Sequence, residues 1–530
     1  MRLVFVILLL VAFSPSREQN LISGGKLRPE QAIMDIRHYT VSLDVNIEKQ
    51  TIAGMGTVDF IFSQPSNIIV LDLVHLMNVE KVWVNKKPAA FKHDDDLLTI
   101  TPTATLPAGK VKVEVQYSGK PGVAARPPWD GGFTWTKDST GNPWVAVTSE
   151  GEGGKIFFPC KDHPSDEPNE GADLIVTVPK GLVVAGPGLL QKVTTKKDKS
   201  TYHWKTNYTI NNYSIIFNIG KFKVVTRQYT SISGKIIPMQ FYVLEEHTSH
   251  AEHQLEMLEK TVKMDEKYFG EYPWANEKIA ICETPHLGME HQTMNAYGNK
   301  FRYTQVGGSD FDWLMHHEFG HEWWGNKITA KDWGHYWIQE GICSFADALY
   351  NREYEGEESY LKRMERTARA TRNEKPVVLG DSNVTEDDAY HPDIYGKGAF
   401  FMHTLRYVLG DDVFFPTLKK FATSPQYTYD NQVTTTDVEK FFSKESGKDL
   451  KPLFDFYLRT IQKLEIDIKQ LDDSKYHVKI LNFDMPLPME IVTDAGSQKV
   501  TLDKKGTTIT SKTIPQIDPK VYYLKKIILE

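Results

Sequence analysis

Residues 314–326 read "LMHHEFGHEWWGN", with three histidines and two glutamates in thirteen residues. Ser309 and Asp312 stand just before it as S-x-x-D, a helix-capping arrangement, so a helix is predicted from there to about Gly325. His317 and His321 then fall one turn apart on one face. Imidazole nitrogens placed so can meet a single zinc ion at about 2.0–2.1 Å. Glu318 is turned roughly 100° from His317 about the helix axis. It borders the same point without having to ligate there, which is the placement of a general base for a metal-activated water. His316 is off the ligand face by the same rotation and is expected to pack or hydrogen-bond elsewhere. A polar surface helix could carry the same letters, so a third ligand has to decide.

The segment "DWGHYWIQEGICSFADALY" supplies one. It reads as a second helix with Trp337, Phe345 and Leu349 as core positions, and eighteen residues separate Glu340 from His321. A short loop and a returning helix bring that carboxylate to the histidines. His, His and Glu with an open fourth position form a catalytic zinc site and not a closed structural one. Asp347, seven residues past Glu340 on the same face, is placed to orient a ligand histidine from behind.

Working outward, the pattern before and after this region is β-like. "HYTVSLDVNI" sets Tyr39, Val41, Leu43, Val45 and Ile47 on one face, and "VKVEVQY" does so with Val111, Val113, Val115 and Tyr117. This predicts an antiparallel β domain over 20–235. Leu255, Leu258, Val262 and Tyr268 then recur at helical spacing up to Gly270 and Pro273, which opens a mixed catalytic domain over 236–461. From Lys463 short alternating runs return, predicting a small β-sandwich over 462–530. The fold class is therefore α+β with several domains, in keeping with a length of 530 residues.

Composition excludes more than it assigns. A net charge of -7 gives no reason to expect a nucleic-acid partner. Three cysteines, Cys160, Cys282 and Cys343, sit in apolar surroundings and read as buried thiols, not as a disulfide framework. The N-terminal "MRLVFVILLLVAFSPS" carries an apolar run too short for the ~30 Å of hydrocarbon that about 20 residues span. Residues 1–19 read as a cleavable signal peptide, so the mature chain is expected to be secreted or periplasmic, without a transmembrane anchor.

H-E-x-x-H, eighteen residues, then E resembles the M1 aminopeptidases, a family of gluzincins, and further stretches agree in family order. "FFPCKDHP" at 157–164 is similar to the family's F-P-C-x-D-x-P, "GMEH" at 288–291 to G-x-M-E-N, "WWGNKIT" to the residues after the second histidine, and "IYGKGAFF" at 394–401 to Y-x-K-G. The resemblance implies a thermolysin-like catalytic domain holding one Zn2+ per chain on His317, His321 and Glu340. It also implies peptide substrates with a free N-terminus. Glu290 takes the place of the glutamate that recognises the substrate amine, with Gly288, Met289 and His291 beside it at the substrate. Glu150 takes the place of a second amine-binding group, with Glu152 as a rival. Tyr395 matches the tyrosine that stabilises the oxyanion, with Tyr390 as a rival. His291 replaces the usual Asn, and Gln339 the usual Asn before the third ligand. The chain also ends after the β-sandwich where many members continue into a helical domain, so a more open cleft is expected. These departures keep two alternatives in view: a zinc endopeptidase with relaxed N-terminal restriction, and a non-catalytic scaffold.

Overall fold

Tyr39, Val41, Leu43 and Val45 are buried while the residues between them are only half-buried, so the period-two pattern becomes one face of the strand Met34–Asn46. The computed structural model describes residues 21–380 and 382–529; the expected signal peptide, 1–19, lies outside them. Met34–Asn46 sits inside an eight-stranded sheet, antiparallel to Thr51–Phe62 on one side. On its other side Ala172–Pro179 runs parallel to it, with Tyr39 opposite Ala172. The first region is the expected β domain, with this pair running parallel within it. The chain leaves after Phe62, builds other strands and the "FFPCKDHP" segment, and returns in the same direction, the long crossover that parallel pairing requires.

The expected boundary between 235 and 236 lies between two paired strands. It falls in the turn of a hairpin whose strands, Phe222–Thr230 and Ile236–Leu244, pair along their whole length. Both strands belong to a five-stranded sheet, followed in order by Ile279–Glu283, Asn295–Tyr297 and the edge strand Gly288–Met289. Both strands alternate like those before them, so periodicity cannot tell which sheet they join.

This sheet is the wall between two cores. Ile237, Met239, Phe241 and Val243 pack with the helix Ala251–Phe269, which buries Leu255, Leu258 and Val262. Tyr242, Leu244, Ala280 and Cys282 face the other way, into the core of the first region. The C-terminal strands form a four-stranded and a three-stranded sheet. Their inner residues Ile466, Val478, Met489 and Ile491 are continuous with the core of the catalytic region. The three cysteines are free and buried. Among the described residues no helix is long and apolar enough to cross a membrane.

The histidine helix is shorter than predicted. It spans Trp313–Gly320 with Asp312, not Ser309, as its cap: Asp312 accepts a hydrogen bond from the Met315 N–H at 3.2 Å, while Ser309 lies in the strand Ser309–Phe311. Beyond Gly320 the chain continues in turns, with Trp324 N–H bonded to Gly320 O and Asn326 N–H to His321 O. His321 still keeps helical dihedrals, φ -65 and ψ -15, so the one-turn spacing to His317 survives.

Helix Trp337–Glu355 carries Glu340, and helix Asp393–Leu409 carries Tyr395. They cross at two glycines. A Cβ on Gly341 would stand 2.8 Å from Gly398 Cα and 2.9 Å from Ile394 O. Any side chain there forces the helices apart and carries Glu340 and Tyr395 with them. Gly341→Ala and Gly398→Ala are each expected to destabilise the protein by about 1–3 kcal/mol, read as a lowered Tm in thermal unfolding. An unchanged Tm in both variants would mean that the crossing has room to spare.

Candidate active site

Three elements deliver the polar centre of the molecule: the histidine helix, the helix of Glu340 and the edge strand Gly288–Met289. Nε2 of His317 and Nε2 of His321 lie 3.4 and 3.3 Å from the same Glu340 oxygen, Oε2. Tetrahedral zinc bonds of about 2.0–2.2 Å set neighbouring ligand atoms roughly 3.3–3.6 Å apart, which is the spacing found. Glu340 is 3 % exposed, and its Oε2 accepts no hydrogen bond. A buried carboxylate oxygen left bare would be costly, so its orphan state fits a site built for a cation.

Each imidazole is held from behind. His317 Nδ1 lies 3.1 Å from Asp347 Oδ2, and His321 Nδ1 lies 2.8 Å from the carbonyl oxygen of Trp324. Those bonds leave both Nε2 atoms for the centre. Asp347 also takes His316 Nδ1, at 2.9 Å on its other oxygen, so the histidine off the ligand face helps to fix the carboxylate that orients His317.

The electrostatics point the same way. Burial would depress the His317 pKa, but the charge and hydrogen bond of Asp347, with Glu340, hold it well above normal. For His321 burial is likewise outweighed, by Cys343, Glu340 and Glu290. Glu340 is held down at about 2, against burial, by the two imidazoles. Without a metal this donor set collects protons; a divalent cation answers the same field.

A cavity of about 380 Å³ opens onto these groups, lined also by Trp129, Glu150, Glu290, Trp313, Glu318 and Tyr395. Burial pushes the Glu318 carboxyl up to about 8. Gly288 is why this carboxylate fits: a Cβ there would stand 2.5 Å from Glu318 Oε1. Met289, its buried neighbour on the strand, lines the cavity too. Tyr395 OH donates to Glu340 Oε1 at 2.7 Å and is in close contact with Tyr390 OH, so the two rival tyrosines sit together. Glu290 accepts a hydrogen bond from Tyr213 OH at 2.9 Å, and Glu150 from Tyr336 OH at 2.8 Å. Burial, then the charges of Glu290 and Glu340, raise the Glu150 pKa well above normal.

Not every expected residue arrives. His291 is fully buried, is not among the residues lining the cavity, and neither of its ring nitrogens has a hydrogen-bond partner. The structure does not bring its side chain to the cavity where the substrate contact was expected. Glu152, the rival of Glu150, instead accepts the Gly131 N–H at 2.7 Å. Gln339 Oε1 accepts the Ala330 N–H at 3.0 Å, bracing the loop before its helix. The sequence reading missed Tyr213, Tyr336, Trp129 and Arg363. Only Tyr336 had a usable signal, standing one helical turn before Glu340; the others come from distant segments.

The description Peptidase M1 N-terminal domain matches residues 36–214, and Peptidase family M1 domain matches 253–457. Tricorn protease-interacting factor F2 of Thermoplasma acidophilum is 21% identical over 469 residues, 83% of this chain and 56% of that protein. Aminopeptidase N of Caulobacter vibrioides is 26% identical over 271 residues, 48% of this chain and 31% of that protein. The chain thus spans between about a third and three fifths of the length of these curated relatives. An M1 zinc metallopeptidase of Deinococcus radiodurans, solved as a mutant with a Tyr-Ser-Ala substrate, superposes with a TM-score of 0.67 at 20% identity, covering 82% of this chain and 95% of that one. Aminopeptidase A of Legionella pneumophila, in complex with aspartic acid, gives a TM-score of 0.76 at 18% identity over 94% of this chain and 60% of that one. With both family domains matched in order across the described fold, the chain belongs to peptidase family M1.

Proposed function

We propose that this chain is a zinc-dependent aminopeptidase that removes N-terminal residues from peptides. The observation that carries the reading is the meeting of two buried carboxylates, Glu150 and Glu290, in the same cavity as His317, His321 and Glu340. Glu150 comes from the first β region and Glu290 from the end of the catalytic sheet's edge strand. Neither has a cationic partner among the described residues; each is held by a tyrosine hydroxyl. A substrate ammonium supplies the missing charge and fixes the register at one residue from the end. The leader at 1–19 supports export of the mature chain, so the peptides it meets are extracytoplasmic.

His317, His321 and Glu340 would hold one zinc ion, which supplies Lewis-acid activation of water and of the scissile carbonyl. The chain's own groups do the rest. Glu318, buried beside His317, takes the proton of the attacking water and returns it to the leaving amine. Tyr395 swings its hydroxyl from Glu340 to the oxyanion as charge develops there, and Tyr390 steadies it. Burial of the cavity walls keeps these interactions in low dielectric. Two features count against the alternatives. His291, the departure that kept an endopeptidase in view, has its side chain outside the cavity. Ligands, base and hydroxyl donor all converge there, which a scaffold without catalysis would not need.

Glu318→Gln should leave the metal in place and lower kcat by at least ~10²-fold; turnover near that of the parent protein with zinc bound would contradict the role. The exopeptidase restriction is tested with free and N-acetylated peptides. Glu290→Ala should lower kcat/KM for free peptides by roughly 10- to 150-fold, the value of a charge-assisted hydrogen bond of about 1.5–3 kcal/mol. It should barely change the acetylated ones, so their ratio collapses. An unchanged ratio would mean that the amine is read elsewhere.

A further inference from the structure

Arg363 is the one cationic side chain among the residues that line the cavity, histidines aside. It projects from the helix Glu357–Ala370, and its side chain is 34% exposed. Its ion pair is a long one, Nη2 to Asp347 Oδ2 at 3.8 Å, beyond hydrogen-bond range. Asp347 is already engaged through both oxygens, by His316 and His317. Among the described residues no hydrogen bond engages the guanidinium. The guanidinium, a planar fork of five N–H donors, therefore stands at the cavity without a protein acceptor among the described residues, a fork that matches a carboxylate.

The placement gives direction. Glu290 groups with His321 and Glu318, their ligand atoms within 4.8 Å of one another. Arg363 lines the same cavity beside His317, reached from His317 Nδ1 through Asp347 by contacts of 3.1 and 3.8 Å. A peptide with its ammonium at Glu150 and Glu290 and its first carbonyl between the imidazoles approaches Arg363 where its next residues run past His317. Each residue advances the chain by about 3.3–3.6 Å. One or two residues past the scissile bond bring a terminal carboxylate within the sweep of a long arginine side chain.

We propose that Arg363 binds the C-terminal carboxylate of short peptides, making di- and tripeptides with a free C-terminus the substrate class of this cavity. The inference rests on the aminopeptidase reading given above. Acids at one end and a guanidinium at the other measure the substrate by its two charges.

The test compares trialanine with trialanine amide, using alanine 4-nitroanilide as a reporter that has an amine and no carboxylate. The parent protein should favour the free acid over the amide by roughly 10-fold or more in kcat/KM. Arg363→Ala should bring that ratio close to one, and Arg363→Lys should keep part of it. A purely structural role, through Asp347 and His317, would slow acid and amide alike and leave the ratio as it was. That outcome, or equal rates on acid and amide in the parent protein, overturns the proposal. Equal rates with brisk cleavage of the nitroanilide would sink the carboxylate reading alone; no cleavage of any of the three would sink the aminopeptidase reading with it.

Discussion

A carboxylate oxygen facing two imidazole nitrogens, buried and without a hydrogen-bond donor, is the constraint on which the rest of this structure depends. Glu340 Oε2 is costly where it stands unless a cation answers it. Much of the surrounding architecture serves to hold it there. The helix that carries it is locked against the helix of Tyr395 at Gly341 and Gly398. The two imidazoles are fixed by Asp347 and by the Trp324 carbonyl. The sheet that ends in Gly288–Met289 is clamped between two hydrophobic cores. Rigid elements on all sides are what let both imidazole nitrogens keep a tetrahedral ligand spacing to the Glu340 oxygen.

Around that centre carboxylates stand on both sides, Glu290 and Glu318 grouped with His321 and Asp347 behind His317, and Arg363 is reached past Asp347. The aromatic groups at and behind the cavity divide into two tasks. Tyr213, Tyr336 and Tyr390 hold polar groups in position through their hydroxyls, whereas Trp129 and Trp313 give apolar surface to the opening.

Much of this was legible in the sequence because the ligands lie on helices, where spacing converts directly to geometry. His317 and His321 at one turn, Glu340 on a returning helix and Asp347 two turns further needed only helical periodicity and a motif. The length of the histidine helix was less legible, because Asp312 and Ser309 both read as caps and only the strand pairing of Ser309 separates them. Sheet membership was invisible too: Phe222–Thr230 alternates like any strand of the first region, and only its partner Ile236–Leu244 assigns it. His291 shows the limit of motif matching, since position in a motif says nothing about which way a side chain turns at the end of an edge strand. Trp129 and Arg363 reach the cavity, and Tyr213 reaches Glu290, from segments far apart in the chain, and no local pattern announces such a meeting.

Zinc content after exhaustive dialysis, measured by elemental analysis on the parent protein and on His321→Ala, tests the central claim most directly. The account predicts one zinc per chain in the parent protein and a loss of bound metal in the variant, since removing one of three ligands opens the site on the face nearest Glu290. A full equivalent of zinc retained by the folded variant would contradict it, and would mean that the orphan oxygen of Glu340 answers to something other than the ion held by His317 and His321.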